Sequence, residues 1–293
     1  MTSLPRIAIV GAGGRLGVAL AREYSRDFEV TCFGRSQLDL GQLDCIRSAV
    51  AATKFELLIN CAALTNVDYC ESHRGEAFLI NAQAPRLLAE ICAEKSAKLI
   101  HISTDYVFNG KQDTPYIEED QPAPLSVYGE SKLAGEVEVL KASPENLVIR
   151  LSWVFGPDKP SFIDQIIQRA RENETVTAVA DKFSCPSYTL DVANWLRLAR
   201  EKEARGILHL CNSGACSWQE WAQYAIDVCC NLGVPLKAER VGKLALSDMK
   251  NFVARRPVNT VLSTAKFTAL TGIQPRHWRD AVAEYISAHV SKK

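Results

Sequence analysis

Short, mostly apolar runs recur through the first half of the chain. They alternate with longer stretches in which apolar residues return every three or four positions. Arg6–Val10, Glu29–Phe33, Leu57–Asn60, Leu99–Ser103 and Leu147–Leu151 are the short runs. Runs of this length without strict alternation suit parallel strands covered on both faces. Arg15–Tyr24, Gln42–Ala52, Glu76–Ser96 and Ser126–Leu140 carry helical spacing, with Leu79, Leu87, Leu88 and Ile91 forming one stripe of the third. This strand–helix alternation predicts an α/β protein with a doubly wound parallel sheet.

Past Leu151 the rhythm changes. Helices are expected at Phe162–Arg171 and Leu190–Glu201, and short strands at Thr175–Val179 and Ile207–Leu210. Ser217-Trp-Gln-Glu220 is a capping box opening a helix to about Leu232. Arg255-Arg256-Pro257 begins an extended stretch, and helices near Ser263–Leu270 and Trp278–Ala288 follow. The expected division is a doubly wound domain at 1–150 plus about 175–205, with a smaller α/β lobe at about 151–174 and 206–293.

With 293 residues, 47% of them hydrophobic, the chain can bury a large core. A net charge of +0 gives no electrostatic footprint for nucleic acid or an anionic membrane, so neither is an expected partner. No apolar run approaches a membrane span, and Met1–Val10 lacks the order of a signal peptide. The 10 cysteines have no paired metal-type spacing, so no metal is expected. Cys32, Cys61, Cys92 and Cys211, in or beside apolar runs, read as reduced core thiols of a cytoplasmic protein.

Gly11-Ala-Gly-Gly14-Arg15-Leu16-Gly17 follows the first strand and opens the first helix. Glycines there permit a tight turn and close approach to a pyrophosphate, while the helix N-terminus presents free N–H groups to the anion. At the end of the second strand, Phe33-Gly-Arg35-Ser36 stands where an acidic residue would select NAD. Arg35, helped by Arg15, suits a 2′-phosphate and points to NADPH, with NADH as the alternative. After the third strand, Ala62, Ala63 and Thr65 leave room for a flat ligand; after the fourth come Ser103, Thr104, Asp105 and Tyr106. Tyr128 and Lys132 are four apart on a helix, which puts a phenol and an ammonium on one face. The ammonium is expected to make the phenol a better acid.

The glycine pattern with Tyr128-x-x-x-Lys132 resembles the extended short-chain dehydrogenase/reductases, which are Rossmann-like. Within them, several segments resemble the dTDP-4-dehydrorhamnose reductase family. These include Asn60-Cys-Ala-Ala63-x-Thr65-x-Val67-Asp68, Ser103-Thr-Asp-Tyr-Val-Phe108 and Val127-Tyr-Gly-x-Ser-Lys-Leu-Ala-Gly-Glu136. Arg150-Leu-Ser-Trp153-Val-Phe-Gly156, Gly206-x-Leu-His-Leu210, Gly214-Ala-Cys-Ser-Trp218 and Arg256-Pro257-x-Asn-Thr-x-Leu262-Ser263 continue the match in order.

The resemblance implies reduction of the 4-keto group of a dTDP-linked 6-deoxyhexulose, with a nucleotide sugar as the binding partner and room for a homodimer. It assigns Gly14, Arg15 and Leu16 to the pyrophosphate, Asp39 and Leu40 to the adenosine, and Ala63–Thr65 to a strip beside the cofactor. It makes Thr104 the hydroxyl on the substrate carbonyl, with Asp105 beside it. Tyr128 becomes the proton donor, Lys132 the residue on the nicotinamide ribose and Trp153 a sugar contact.

The chain also departs from the pattern. Where the family reads Asp-Gln-x-Gly-x-Pro-Thr, this chain has Asp181-Lys-Phe-Ser-Cys-Pro186-Ser. That loop lines the sugar side, so Lys182 and Ser184 leave the sugar open. Arg255 and Arg256 suit a substrate diphosphate or, equally, a structural flank. Two alternatives stay open: a reductase of another nucleotide sugar, and an NADP-binding regulatory protein resembling the beta subunit of methionine adenosyltransferase.

Overall fold

The five strands expected in the first half of the chain lie side by side in one sheet. The computed structural model describes residues 4–290. The first half runs β1 (Arg6–Val10), α1 (Arg15–Tyr24), β2 (Glu29–Phe33), α2 (Leu43–Ala52), β3 (Leu57–Asn60), α3 (Val67–Ser72), α4 (Arg74–Phe78), α5 (Ala84–Glu94), β4 (Lys98–Thr104), α6 (Val127–Ala142) and β5 (Leu147–Leu151). The second half runs β6 (Val154–Phe155), α7 (Phe162–Glu172), β7 (Val176–Val179), β8 (Phe183–Ser184), β9 (Ser187–Tyr188), α8 (Thr189–Glu201), β10 (Gly206–His209), β11 (Cys216–Ser217), α9 (Trp218–Asn231), β12 (Val241–Leu244), α10 (Ala265–Thr271) and α11 (Trp278–His289).

The main sheet has the order β10-β5-β4-β3-β1-β2, and every pair in it is parallel. The apolar runs are explained by cover on both sides. Leu16, Leu20 and Tyr24 of α1 pack with Val192 and Trp195 of α8 on one face, and Ile46, Leu88, Ile91 and Val139 pack on the other. The order reverses between β1 and β3, so the loops leaving those strands diverge and open a crevice at the strands' carboxyl ends. A third core of Ile163, Ile166, Trp221, Ala225, Trp278 and Ile286 joins α7, α9 and α11.

Several expectations change. Val176–Val179 pairs with β12 and packs in the third core, whereas Gly206–His209, expected in the smaller lobe, is an edge strand of the main sheet. Cys32 is exposed because β2 is the other edge strand; all 10 cysteines are free thiols. The long helix expected at Glu76–Ser96 is broken by a π turn, Leu79–Gln83. Among the described residues no helix is long and apolar enough to cross a membrane.

One buried ion pair ties the sheet to its covering helix. Arg150 on β5 donates through Nε and Nη2 to Glu136 on α6, at 3.0 and 2.7 Å, and stacks over Phe108. Ser103 Oγ donates to the same carboxylate, so β4, β5 and α6 meet at one group.

Candidate active site

A cleft of about 1050 Å³ follows the crevice and brings together the glycine turn, the segment after β2, the strip after β3, the end of β4 and the first turns of α6. The turn after β1 is held by its own backbone. The N–H groups of Gly11 and Ala12 both donate to the Phe33 carbonyl, at 2.9 and 3.1 Å. Gly11 has φ +79°, and a Cβ there would lie 2.6 Å from the Ala62 nitrogen. Gly17 is a packing glycine: a Cβ would sit 2.2 Å from the Gly11 carbonyl oxygen. Gly14 caps α1, whose first turn carries no acidic residue, and nothing crowds Gly13. The turn can therefore receive an anion at the helix N-terminus.

Leu16 lines the cleft beside the turn. Arg15 also borders it, but its guanidinium donates to the carbonyls of Val154, Lys159 and Pro160. It fastens the turn to β6 and the segment after it and is not directed at a 2′-phosphate. Arg35 is an exposed cation on the rim, flanked by Asp39, whose Oδ1 accepts from Gly41 N–H, and by buried Leu40.

Ala62, Ala63 and Thr65 line the floor after β3. Asn81, buried in the π turn, accepts from Leu64 N–H at 2.8 Å and donates to the Leu64 carbonyl and to Ser131 Oγ, each at 3.0 Å. It clamps this strip onto α6. Gly135 makes room, because a Cβ there would be 2.1 Å from the Asn81 carbonyl oxygen. The sequence reading missed Asn81; a polar residue beside the apolar stripe of Leu79, Leu87, Leu88 and Ile91 was the available signal.

Thr104 ends β4, accepting from Tyr106 N–H and donating to Asp105 Oδ1, both at 3.2 Å. Asp105 is fixed in turn by Ser184 Oγ at 3.1 Å and by Thr260 Oγ1. Ser184 thus belongs to the support of Asp105. Burial raises the Asp105 carboxyl, with nearby Lys182 opposing.

Tyr128 enters the cleft from the first turn of α6, where Ser126 caps Gly129 N–H and Glu71 accepts from Val127 N–H. Its ring meets Tyr106 edge-on, centroids 5.7 Å apart. The expected acidification of the phenol is corrected here. Burial dominates and raises its pKa, a hydrogen bond with Thr104 lowers it, and Lys132 is not among the charges acting on it. Lys132 is buried and turned to β4, donating to the Ile102 carbonyl at 2.7 Å with His101 Nε2 at 3.3 Å. Burial pulls its ammonium down to about 8.

Trp153 closes the far side. Its backbone is left-handed (φ 42°), a conformation costing about 1–3 kcal/mol for a non-glycine residue. The ring stacks on Trp221, and its buried indole N–H has no partner in the protein. Behind the aromatic layer, Lys182 is fully buried, facing the rings of Tyr106, Trp153 and Trp218 and donating to the Pro257 carbonyl.

Arg256 does not join this group. Its guanidinium pairs with both oxygens of Asp68, at 2.8 and 2.6 Å, and lies over Phe252. The Arg256 hydrogen bonds hold the Asp68 carboxyl down to about 2. A depressed carboxyl stabilises the fold fully above its unfolded pKa of about 3.9, and that contribution is lost as pH falls toward about 2. Asp68→Asn should therefore be less stable than the wild type at neutral pH, with the gap closing over that acid window. Urea denaturation at stepped pH reads this, and a gap unchanged across the window would refute the pair's role.

A family model described as RmlD substrate binding domain matches residues 5–291. A dTDP-4-dehydrorhamnose reductase of Mycolicibacterium smegmatis is 38% identical, with 97% of this chain and 86% of that protein aligned. A Streptomyces antibioticus protein named as a probable dTDP-4,6-dihydroxy-2-methyloxan-3-one 4-ketoreductase is 36% identical over 95% of this chain and 94% of its own length. The solved dTDP-4-dehydrorhamnose reductase of Bacillus anthracis, in complex with NADP, superposes with a TM-score of 0.90 at 29% identity, covering 97% of this chain and 99% of that one.

Proposed function

This chain belongs to the dTDP-4-dehydrorhamnose reductase family, and from that premise we propose that it reduces dTDP-4-dehydrorhamnose to dTDP-L-rhamnose with NADPH. The observation that carries the reading is the meeting of Thr104, Tyr128 and Lys132 with the glycine turn and Trp153 in one cleft.

The cleft's residues fit the cofactor. The turn, open at Gly13 and capped by Gly14, suits the pyrophosphate, Asp39 and Leu40 the adenosine, Arg35 the 2′-phosphate, and Lys132 the ribose. NADPH, when bound, supplies the hydride. The chain supplies the proton and the field. Burial keeps the Tyr128 phenol protonated at neutral pH, ready to quench charge growing on the carbonyl oxygen. The Thr104 hydroxyl, which donates to Asp105 Oδ1 in this structure, turns its one proton to that same oxygen when substrate is bound. The unpartnered Trp153 N–H is a donor toward the sugar. Analysing the product formed with C4-deuterated NADPH tests this: one deuteron should appear at C4 of a rhamnosyl product, and an unlabelled product would refute it.

Lys182 and Ser184 favour a second reading, reduction of a different nucleotide-linked keto sugar. Both sit behind the sugar side of the cleft, where they set the positions of the aromatic layer and of Asp105. The same assay on alternative keto sugars separates the two readings.

Arg35 carries the cofactor choice. Arg35→Ala should weaken NADPH binding by about tenfold, the worth of one charged contact, and leave NADH unchanged. Equal losses for both cofactors, measured by fluorescence titration, would contradict the role.

A further inference from the structure

Beneath the cleft, a buried hydrogen-bond chain runs in one direction. Ala62 N–H donates to Asn60 Oδ1 at 3.1 Å, which a backbone amide can only do as donor. That orients the Asn60 amide, so its Nδ2 donates to Nδ1 of His101, at 3.1 Å. A neutral imidazole has one donor and one acceptor nitrogen, so with Nδ1 accepting the proton lies on Nε2. Nε2 faces Lys132 Nζ at 3.3 Å, and Nζ itself donates to the Ile102 carbonyl at 2.7 Å.

An ammonium has only donors and opposes Nε2–H, whereas an amine has a lone pair to receive it. Water does not relieve the conflict, since Asn60 and His101 are 0% exposed and Lys132 is 1% exposed. Rotating Asn60 would strand the Ala62 N–H in the interior. Protonating His101 is opposed by its burial and by Lys132 itself. The other groups around Nζ do not restore a simple ion pair. Glu136, on the same helix, favours the ammonium but is engaged by Arg150 and Ser103. The Cys61 thiol, from the strip after β3, is pushed up to about 12 by burial and stays neutral. Tyr128, at the start of α6, is likewise neutral.

We propose that His101 is a positioning residue that holds Lys132 as the amine in the free enzyme, so that NADPH binding brings a proton from solvent onto Nζ. The cofactor carries negative charge and acceptor oxygens into the cleft, and both favour the ammonium. Burial, with Glu136 opposing, already draws Lys132 down to about 8, and the donor conflict acts in the same direction. The inference rests on the cleft being the NADPH site.

Calorimetry of NADPH binding at about pH 8, in two buffers of different ionisation enthalpy, tests it; the 2′-phosphate, with a second pKa of about 6, is already ionised there. The wild type should take up roughly one proton per NADPH, and its affinity should weaken by up to about tenfold per pH unit above pH 8. His101→Gln, whose carboxamide can turn its oxygen to Nζ, should bind NADPH with clearly smaller uptake, about half a proton or less, because a lysine drawn only to about 8 is already partly protonated at that pH. Binding without proton uptake by the wild type, or the same uptake in His101→Gln, overturns the inference and leaves the cofactor site standing. Absence of any NADPH binding overturns both. Should His101→Gln fail to fold, the wild type decides at about pH 7, where a lysine drawn only to about 8 is already protonated and takes up little, whereas one held as the amine takes up close to one proton.

Discussion

Tyr128→Phe should lose turnover by about 10²–10⁴-fold, the usual worth of a positioned general acid, while binding NADPH as the wild type does. The variant removes one oxygen and keeps the ring, so the edge-on packing against Tyr106 survives. Lys132 makes its hydrogen bonds to Ile102 and His101, not to the phenol, so the cofactor side of the cleft should be undisturbed. The loss should therefore fall on kcat with little change in the affinity for NADPH. Stopped-flow hydride transfer beside equilibrium titration separates the two. Turnover near the wild-type value would remove Tyr128 as proton donor, and a parallel loss of NADPH affinity would recast it as a binding residue.

The largest stability effect is expected at Glu136. Replacing it by Leu leaves Arg150 as an unpaired charge in the interior, where its side chain is 1% exposed. Breaking a buried pair from one side destabilises by about 3–5 kcal/mol, because the remaining charge keeps its desolvation penalty. Arg150 Nη1 already lacks a partner, so few contacts remain to compensate. The double variant Glu136→Leu with Arg150→Met should be less destabilised than the single one, since it removes both charges together. Urea denaturation of the set reads this directly. Equal destabilisation of the single and double variants would show that packing, not the stranded charge, is responsible.

Much of this architecture was legible from the chain because local pattern and burial agree. The apolar runs became the parallel strands since both sheet faces are covered, and the glycine spacing became the turn after β1 since Gly11 and Gly17 each need close backbone approach. What escaped depends on partners distant in sequence. Leu79–Gln83 has helical composition, and its π turn coincides with Asn81 reaching across to Leu64 and Ser131. Arg256 suited a substrate diphosphate and a structural flank equally, and only the fold, by placing Asp68 opposite it, separates the two. Tyr128 and Lys132 share the expected spacing, yet their electrostatics reverse, because burial acts on each more strongly than either acts on the other. Lys182 reads as part of the loop on the sugar side, but its enclosure by the rings of Tyr106, Trp153 and Trp218 depends on segments distant from it in sequence.

The central claim is that the cleft performs carbonyl reduction and does not merely hold a dinucleotide. Following NADPH absorbance with purified protein and dTDP-4-keto-6-deoxy-L-lyxo-hexulose tests it most directly. The account predicts NADPH oxidation in step with substrate consumed, abolished in Tyr128→Phe. Tight NADPH binding with no oxidation on that or any other nucleotide-linked keto sugar would contradict it.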